Sequence, residues 1–289
     1  MARSRTLLLP LTLLGLFLLG TVVVLSTVSY YLAIDASAYL TDDEVPPSAG
    51  AVTANSSRAL ERIPRIIHQT WKTDTLPERW KAVSKTCTSI MPDYEYMLWT
   101  DASSRNFIAK EYPWFLATFD GYTYNIQRAD AIRYFVLHHY GGVYLDLDVG
   151  CLRPLDPLLQ FSVILPKTIP VGVSNDLMFS AKGHPFMEQT IHNLIPFDRN
   201  YFLNYPTVMF STGPMYVSAQ YGLYTASHPS RTPEDDVRIL SKALYGKNAK
   251  PEEAPHSFFS HHYGSSWHAD DAAFITFLGK WGQILMRVG

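Results

Sequence analysis

The chain has 289 residues, 47% hydrophobic and 17% charged, with 24 Lys and Arg against 26 Asp and Glu for a net charge of −2. That much apolar side chain builds a full core and excludes wholesale disorder. The balanced charge, with no basic block past the first residues, excludes a protein that wraps nucleic acid. The two cysteines, Cys87 and Cys151, are too few for a disulfide scaffold, and no C-x-x-C or Cys/His cluster of zinc spacing occurs.

Residues Thr6 to Ile34 carry no charge, and Leu7 to Leu25 is almost wholly Leu, Val, Gly and Phe. A membrane-spanning helix needs about 20 apolar residues, whereas a signal-peptide core has about 7–15. The stretch is long enough to span. Arg3 and Arg5 precede it and Asp35, Asp42, Asp43 and Glu44 follow it, so a cytoplasmic amino terminus and a lumenal remainder are expected. The competing reading is a signal peptide cleaved near Ala36-Ser37-Ala38. Residues 35–61, with Pro46-Pro47-Ser48-Ala49-Gly50, read as a stalk without core residues. Asn55 heads an N-x-S sequon, usable only in a lumen. There Cys87 and Cys151 are also able to pair; their spacing leaves open whether they do.

The globular part, residues 62–289, opens with Ile63-Pro64-Arg65-Ile66-Ile67-His68-Gln69-Thr70-Trp71, which predicts a short buried strand. Leu76 to Thr86 reads as a helix with Pro77 early and Trp80 and Val83 on one face. Tyr94 to Trp99 reads as a second strand, after which Asp101 caps a helix over Arg105 to Lys110. Strands alternating with helices predict an α/β fold on a mostly parallel sheet, with ligands at the strands' carboxyl ends.

Ile126, Ala129, Ile132, Val136 and Tyr140 recur at helical spacing, so Tyr124 to Tyr140 is a helix, stopped by Gly141-Gly142. Val143 to Val149 then reads as one strand. Its alternation turns Val143, Leu145, Leu147 and Val149 to the core and Tyr144, Asp146 and Asp148 to the other face. Two carboxylates at a buried strand are costly unless neutralised, and a divalent cation is the simplest neutraliser. Oxygen-only ligands suit Mg²⁺ or Mn²⁺, which use one or two carboxylates plus substrate phosphates. The substrate expected is therefore a diphosphate such as a nucleotide sugar, the ion neutralising its leaving group. The bland alternative is two solvated carboxylates at a strand end. On the preceding helix Asp130 and Arg133 stand at i and i+3, within reach of each other. Arg128, Asp130 and Arg133 crowd polar groups among Ile132, Phe135 and Val136, where an arginine fork suits phosphate or hydroxyl oxygens.

No G-x-G-x-x-G, P-loop, H-E-x-x-H or G-x-S-x-G occurs, which removes the Rossmann, P-loop, zincin and α/β-hydrolase readings. His138 and His139 read as packing or surface residues.

Ile63 to Lys72, and the run from Arg128-Ala129-Asp130-Ala131-Ile132-Arg133-Tyr134 through Gly141 to Asp148, resemble glycosyltransferase family 32 and its D-x-D region. Gly172-Val173-Ser174-Asn175-Asp176, Ser211-Thr212-Gly213-Pro214 and Gly264-Ser265-Ser266-Trp267-His268-Ala269-Asp270-Asp271-Ala272 are similar to the fungal inositol phosphoceramide mannosyltransferases. The resemblance runs over about residues 63 to 275.

The resemblance implies a GT-A-type nucleotide-diphospho-sugar transferase fold behind an N-terminal transmembrane helix, residues 1–34. It implies a single-pass type II Golgi membrane enzyme. Such an enzyme moves mannose from GDP-mannose to the inositol headgroup of inositol phosphoceramide, with retention and with Mn²⁺ (or Mg²⁺). By likeness to glucosylating bacterial toxins, Trp71 would stack on the base, Asp130 and Arg133 would hold sugar and diphosphate, and Tyr144 would contact the donor. Asp146 would hold hydroxyls with help from metal-bound water, and Asp148 would bind the metal. Ser265 and Trp267 would close over the diphosphate, and His268 would add a metal or phosphate contact. Asn175 and Asp176 would meet sugar or acceptor, the competing reading being an Asx turn. The leaving phosphate can take the acceptor proton, so no nucleophile or separate base is implied. Relatives commonly carry membrane spans after the catalytic domain, whereas Phe274 to Gly289 is too short to span. The chain is therefore expected either to rely on its amino-terminal anchor or to be incomplete, which leaves a regulatory membrane subunit open. The other readings are a protein-glycan α-mannosyltransferase and a non-catalytic anchored binding subunit.

Overall fold

A computed structural model of the chain describes residues 12–20, 33–45, 61–168, 172–229 and 232–264. Residues 12–20 are helical with exposed side chains. Most of the expected anchor, all of residues 46–60 with Asn55, and the tail from Ser265 lie outside the described residues. Among the described residues no helix is long and apolar enough to cross a membrane.

Eight strands and eight helices are described between residues 34 and 264. They are β1 (Ile66–Thr70), α1 (Glu78–Ile90), β2 (Glu95–Trp99), α2 (Asp101–Glu111), α3 (Leu116–Gly121) and α4 (Asn125–Tyr140). There follow β3 (Gly142–Leu145), β4 (Val149–Cys151), β5 (Val163–Pro166), β6 (Leu177–Ser180), α5 (Pro185–Phe197), α6 (Asn204–Ser211), α7 (Pro214–Ser227), β7 (Val237–Leu240), α8 (Lys242–Tyr245) and β8 (Phe259–His261). The main sheet has the order β2-β1-β3-β6-β5-β7. The pairs β1–β2, β1–β3 and β5–β7 are parallel; β3–β6 and β5–β6 are antiparallel. Five of these six strands run the same way, so the sheet is mostly parallel, as expected; β6 alone runs against both of its neighbours. A small second sheet pairs β4 with β8.

Strands β3, β5 and β6 are buried at every position, as apolar runs covered on both faces must be. Alternation divides them between two cores. Tyr144, Val163, Leu165 and Met178 join Phe115, Phe135 and Tyr216 on one face. Val143, Leu145, Ile164, Leu177 and Phe179 join Cys87, Val149 and Phe258 on the other.

The helix stop before β3 is steric. Gly142 has φ of 100°, and a Cβ there would stand 2.6 Å from the Ile66 carbonyl oxygen, where β1 passes close. Buried His68 locks the same junction: Trp99 Nε1 donates to its Nδ1 at 3.1 Å and its Nε2 lies 2.9 Å from the Gly141 carbonyl oxygen. Burial lowers its pKa to about 4, so the ring is neutral and its Nε2–H donates to Gly141.

Three expectations are corrected. Thr100, not Asp101, caps α2, through a reciprocal capping box with Ser103. The stretch read as a stalk is docked at its start: Ala38, Leu40 and Val45 are buried, the Leu40 N–H donates to the Ile239 carbonyl at 2.9 Å, and Arg238 pairs with Glu44 at 2.8 Å. Small apolar residues between acids gave no periodic signal for this packing. Finally, the strand read over Val143 to Val149 breaks after Leu145, and Asp146 to Asp148 form a turn in which the Val149 N–H returns to the Asp146 carbonyl at 3.0 Å.

Cys87 and Cys151 are disulfide-bonded, with Cα atoms 4.7 Å apart and 64 positions between them in sequence. The bond ties α1 to the strand that leaves the turn. Closing a loop of that length in the unfolded chain stabilises the fold by about 4 kcal/mol. Urea unfolding of the Cys87→Ser/Cys151→Ser double variant should therefore show an unfolding free energy lower by that amount and a correspondingly lower midpoint, and addition of dithiothreitol should act on the wild type alike; unchanged midpoints would refute the clamp.

Candidate active site

The carboxyl ends of β1 and β3, the turn after β3 and the interior face of α4 converge on Arg133. Its side chain is 4% exposed, its Nη1–H donates to the Asn175 carbonyl at 2.6 Å, and its Nη2 meets Asp130 Oδ1 at 2.9 Å. Its Nη1 also stands 3.3 Å from Asp146 Oδ1, and its guanidinium carbon lies 4.6 Å from the centroid of the Tyr144 ring. A guanidinium taken out of water needs this many partners, since an unpaired one costs several kcal/mol. Both carboxylates, and the surrounding oxygens, keep it charged.

Asp130 is equally sealed. Thr212 Oγ1 donates to its Oδ2 at 3.1 Å and Asn175 Nδ2 to its Oδ1 at 3.0 Å. Tyr134 closes the network, accepting from Asn175 Nδ2 at 3.0 Å and donating to the Thr212 carbonyl at 2.6 Å. Burial raises the Asp130 carboxyl to about 6, against the pull of Arg133 and its two hydrogen-bond donors. Asn175, expected to touch the donor, has its amide nitrogen committed to Asp130 and Tyr134.

Tyr144 and Asp146 do share a face. The Tyr144 hydroxyl donates to Asp146 Oδ1 at 2.8 Å and lies 3.0 Å from Thr70 Oγ1 at the end of β1. Yet Tyr144 is fully buried; its ring is a floor beneath Arg133 rather than an open donor contact. Trp71, one residue past β1, is partly exposed and anchored by its N–H to the Trp99 carbonyl at 3.0 Å. Asp146 keeps 33% of its side chain exposed. Dense surroundings, and then the charges of Asp176 and Asp148, push its carboxyl up to about 7 despite Arg133. Asp148 is partly exposed; its Oδ2 accepts the Gly264 N–H at 2.6 Å, and its carbonyl accepts the His262 N–H at 2.8 Å. Ser265, Trp267 and His268 follow directly in sequence and lie outside the described residues.

Asp176 sits opposite Asp146, whose N–H donates to the Asp176 carbonyl at 2.8 Å. Its Oδ2 accepts from Tyr245 and from Lys247 Nζ, each at 2.5 Å. Burial alone would raise the Asp176 carboxyl, but Lys247 and these hydrogen bonds hold it below the usual carboxylate range. Its Oδ1 is buried without a hydrogen-bond partner among the described residues. Sequence reasoning missed Thr212, Tyr245 and Lys247. Thr212 stood in a segment recognised only by resemblance. Lys247 follows the α-left Gly246 that ends α8, with no periodic or motif signal.

Four carboxylates, of Asp130, Asp146, Asp148 and Asp176, thus face two cations, Arg133 and Lys247, among the described residues. The surplus is negative, Asp176 Oδ1 is orphaned, and no protein donor reaches Asp146 Oδ2 or Asp148 Oδ1 among the described residues. No group of three or more His, Cys, Asp or Glu side chains able to hold a metal occurs among the described residues. A pair of hard oxygen ligands suits Mg²⁺ or Mn²⁺ when substrate phosphates complete the shell. The residues present fit such an ion.

A family model described as "Glycosyltransferase sugar-binding region containing DXD motif" matches residues 77–165. Inositol phosphoceramide mannosyltransferase 3 of Schizosaccharomyces pombe is 48% identical over 78% of this chain and 61% of its own length. Inositol phosphoceramide mannosyltransferase 2 of the same yeast is 46% identical over 82% of this chain and 68% of its own. Mannosyl phosphorylinositol ceramide synthase SUR1 of Saccharomyces cerevisiae is 50% identical over 75% of this chain and 54% of its own. The chain spans about half to two thirds of the length of these curated relatives.

The Asp130 network predicts a pH signature. Its carboxyl is raised to about 6 in the fold and lies near 4 when unfolded. The folded protein therefore holds this proton more tightly, and stability is lost as pH rises from about 4 through about 6. In urea titrations between those limits, wild type should lose stability relative to Asp130→Asn, with a constant gap above pH 7; a gap independent of pH would refute the raised value.

Proposed function

The chain belongs to the D-x-D glycosyltransferases that include the inositol phosphoceramide mannosyltransferases, and from that premise we propose that it moves mannose from GDP-mannose to the inositol headgroup of inositol phosphoceramide. The observation that carries the reading is the surplus of carboxylate at the carboxyl end of β3. Asp146 and Asp148 each present an oxygen that no protein donor reaches among the described residues, beside a buried arginine, as a site for a cation and a diphosphate requires.

In this reading Asp146 and Asp148 hold Mn²⁺ or Mg²⁺. The bound ion neutralises charge on the diphosphate leaving group. Arg133 fixes the Asp146 carboxylate from beneath and keeps it directed outward. Asp130, Thr212 and Asn175 hold Arg133 in turn, so this network serves orientation. Trp71, partly exposed at the end of β1, is the base-stacking platform. Lys247, held by Asp176 and one third exposed, supplies a second positive charge. The leaving phosphate takes the acceptor's proton, so no protein nucleophile is assigned.

The fold is read as GT-A-type, on the strength of the family and of a mixed sheet whose β2-β1-β3 half is parallel. The Cys87–Cys151 disulfide supports a lumenal, oxidising compartment, and with it the Golgi placement and amino-terminal anchor.

Full-length protein in detergent should transfer radiolabel from GDP-mannose to inositol phosphoceramide, lose that activity in EDTA and regain it on addition of Mn²⁺. Asp148→Ala should lower kcat at least about a hundredfold, since cation stabilisation of a leaving group amounts to several kcal/mol. Equal transfer by variant and wild type would sink the metal role. Label from UDP-sugars, or on glycan rather than lipid acceptors, would sink the substrate assignment.

A further inference from the structure

From Asn200 to Ser230 the sequence contains no Asp, Glu, Lys or Arg, in a chain where such residues make up 17%. This run includes the turn between α5 and α6, which holds an exposed aromatic tip. Phe202 is 96% exposed, Leu203 46%, Tyr201 41% and Phe210 42%. The Tyr201 and Phe210 rings pack 5.5 Å apart, so the tip is one surface.

The tip is built, not frayed. Phe202 has φ of 67°, a left-handed conformation that a bulky side chain adopts only under constraint. Its N–H donates to Asn200 Oδ1 at 2.7 Å, and the Tyr201 N–H donates to Thr207 Oγ1 at 3.0 Å. Strain that is held in place, and that leaves an aromatic ring in water, calls for an occupant.

The occupant is indicated by where the tip leads. Helix α6 starts at the tip and ends at the site: Gln127 Nε2 donates to Ser211 Oγ at 2.8 Å, and Thr212 Oγ1 reaches Asp130. Eight helical residues span about 12 Å. The polar layer on each side of a bilayer is about 5–8 Å deep. A tip seated at the headgroup–acyl boundary would therefore hold the site at the height of a protruding headgroup.

We propose that the Tyr201–Leu203 turn, with Phe210, inserts into the interface of the acceptor's bilayer and sets the height of the active site above it. Charge depletion together with Tyr and Phe suits that layer, which accepts aromatic rings and rejects buried charge. The inference rests on the lipid-acceptor reading above.

The test uses full-length protein reconstituted in phosphatidylcholine vesicles that carry inositol phosphoceramide. In Phe202→Trp, the added emission should be quenched by lipids brominated on their acyl chains. Unquenched emission would overturn the proposal and favour a protein partner or a second copy on this surface. Phe202→Gly suits the positive φ and preserves the fold. Its KM for the vesicle-borne acceptor should rise about tenfold, the worth of one buried aromatic ring, with kcat and the KM for soluble myo-inositol 1-phosphate unchanged. Equal KM values on vesicles would also overturn it. If wild type labels only soluble glycans, the acceptor reading fails, while the quenching of Trp emission still decides the surface.

Discussion

A guanidinium buried among two carboxylates and a carbonyl organises this molecule. Arg133 touches α4 through Asp130, the β3 turn through Asp146, and the approach to β6 through the Asn175 carbonyl. Removing any one partner would leave charge uncompensated where water cannot repair it. The geometry of three elements is thereby made interdependent. The Tyr144 ring lies beneath it, and the Tyr134 hydroxyl ties Asn175 to the Thr212 carbonyl. A cation of this kind contributes little net stability against an apolar replacement. Its contribution is to hold a carboxylate in one orientation at the mouth of the site.

The second cation is arranged differently. Asp176 is held by Lys247 and Tyr245 from a segment far along the chain, and Lys247 remains one third exposed. One cation is thus a sealed arginine and the other an accessible lysine. The contrast matches the properties of the two side chains. Arginine's fork satisfies several fixed oxygens at once, whereas a lysine on a flexible stem can follow a phosphate that arrives and leaves. The surplus of negative charge persists between them, and it adds to the burial that raises the Asp146 carboxyl. A divalent ion and a proton would compete for that oxygen pair.

Periodicity made β1, β2 and α4 legible to within three residues and α1 to within four, because each carries a two-fold or 3.6-fold apolar pattern beside a Pro, Gly or capping signal. The pairing of Asp130 with Arg133 was legible for the same reason: three residues apart on a helix places side chains together. What could not be read was tertiary. Nothing local places Thr212 over Asp130 or Lys247 over Asp176, which are brought together across 82 and 71 positions of sequence. The direction of β6, which makes the sheet mixed, depends on the course of the connection rather than on any residue in the strand. The docking of Ala38, Leu40 and Val45 depends on β7 offering an edge, and β7 lies two hundred positions away in sequence.

The broken strand after Leu145 shows why a strict alternation argument falls short at this site. Residues two apart on an extended strand have Cα atoms about 6.6 Å apart and side chains standing parallel. Two oxygens bound to one Mg²⁺ lie at most about 4.2 Å apart, since each bond is about 2.1 Å. A continuous strand would hold Asp146 and Asp148 in a row, whereas a shared ion needs them to converge. The turn, closed by the Val149 N–H on the Asp146 carbonyl, bends the chain so that convergence becomes feasible. A turn at a sheet's end is a weak structure, and here it is fastened on both sides. Before it, β3 is buried between β1 and β6. After it, the Cys151 N–H donates to Thr86 Oγ1 at 2.9 Å, and the disulfide bonds Cys151 to α1. The disulfide therefore acts on the site as well as on stability, by fixing the exit of the only backbone segment that carries both carboxylates.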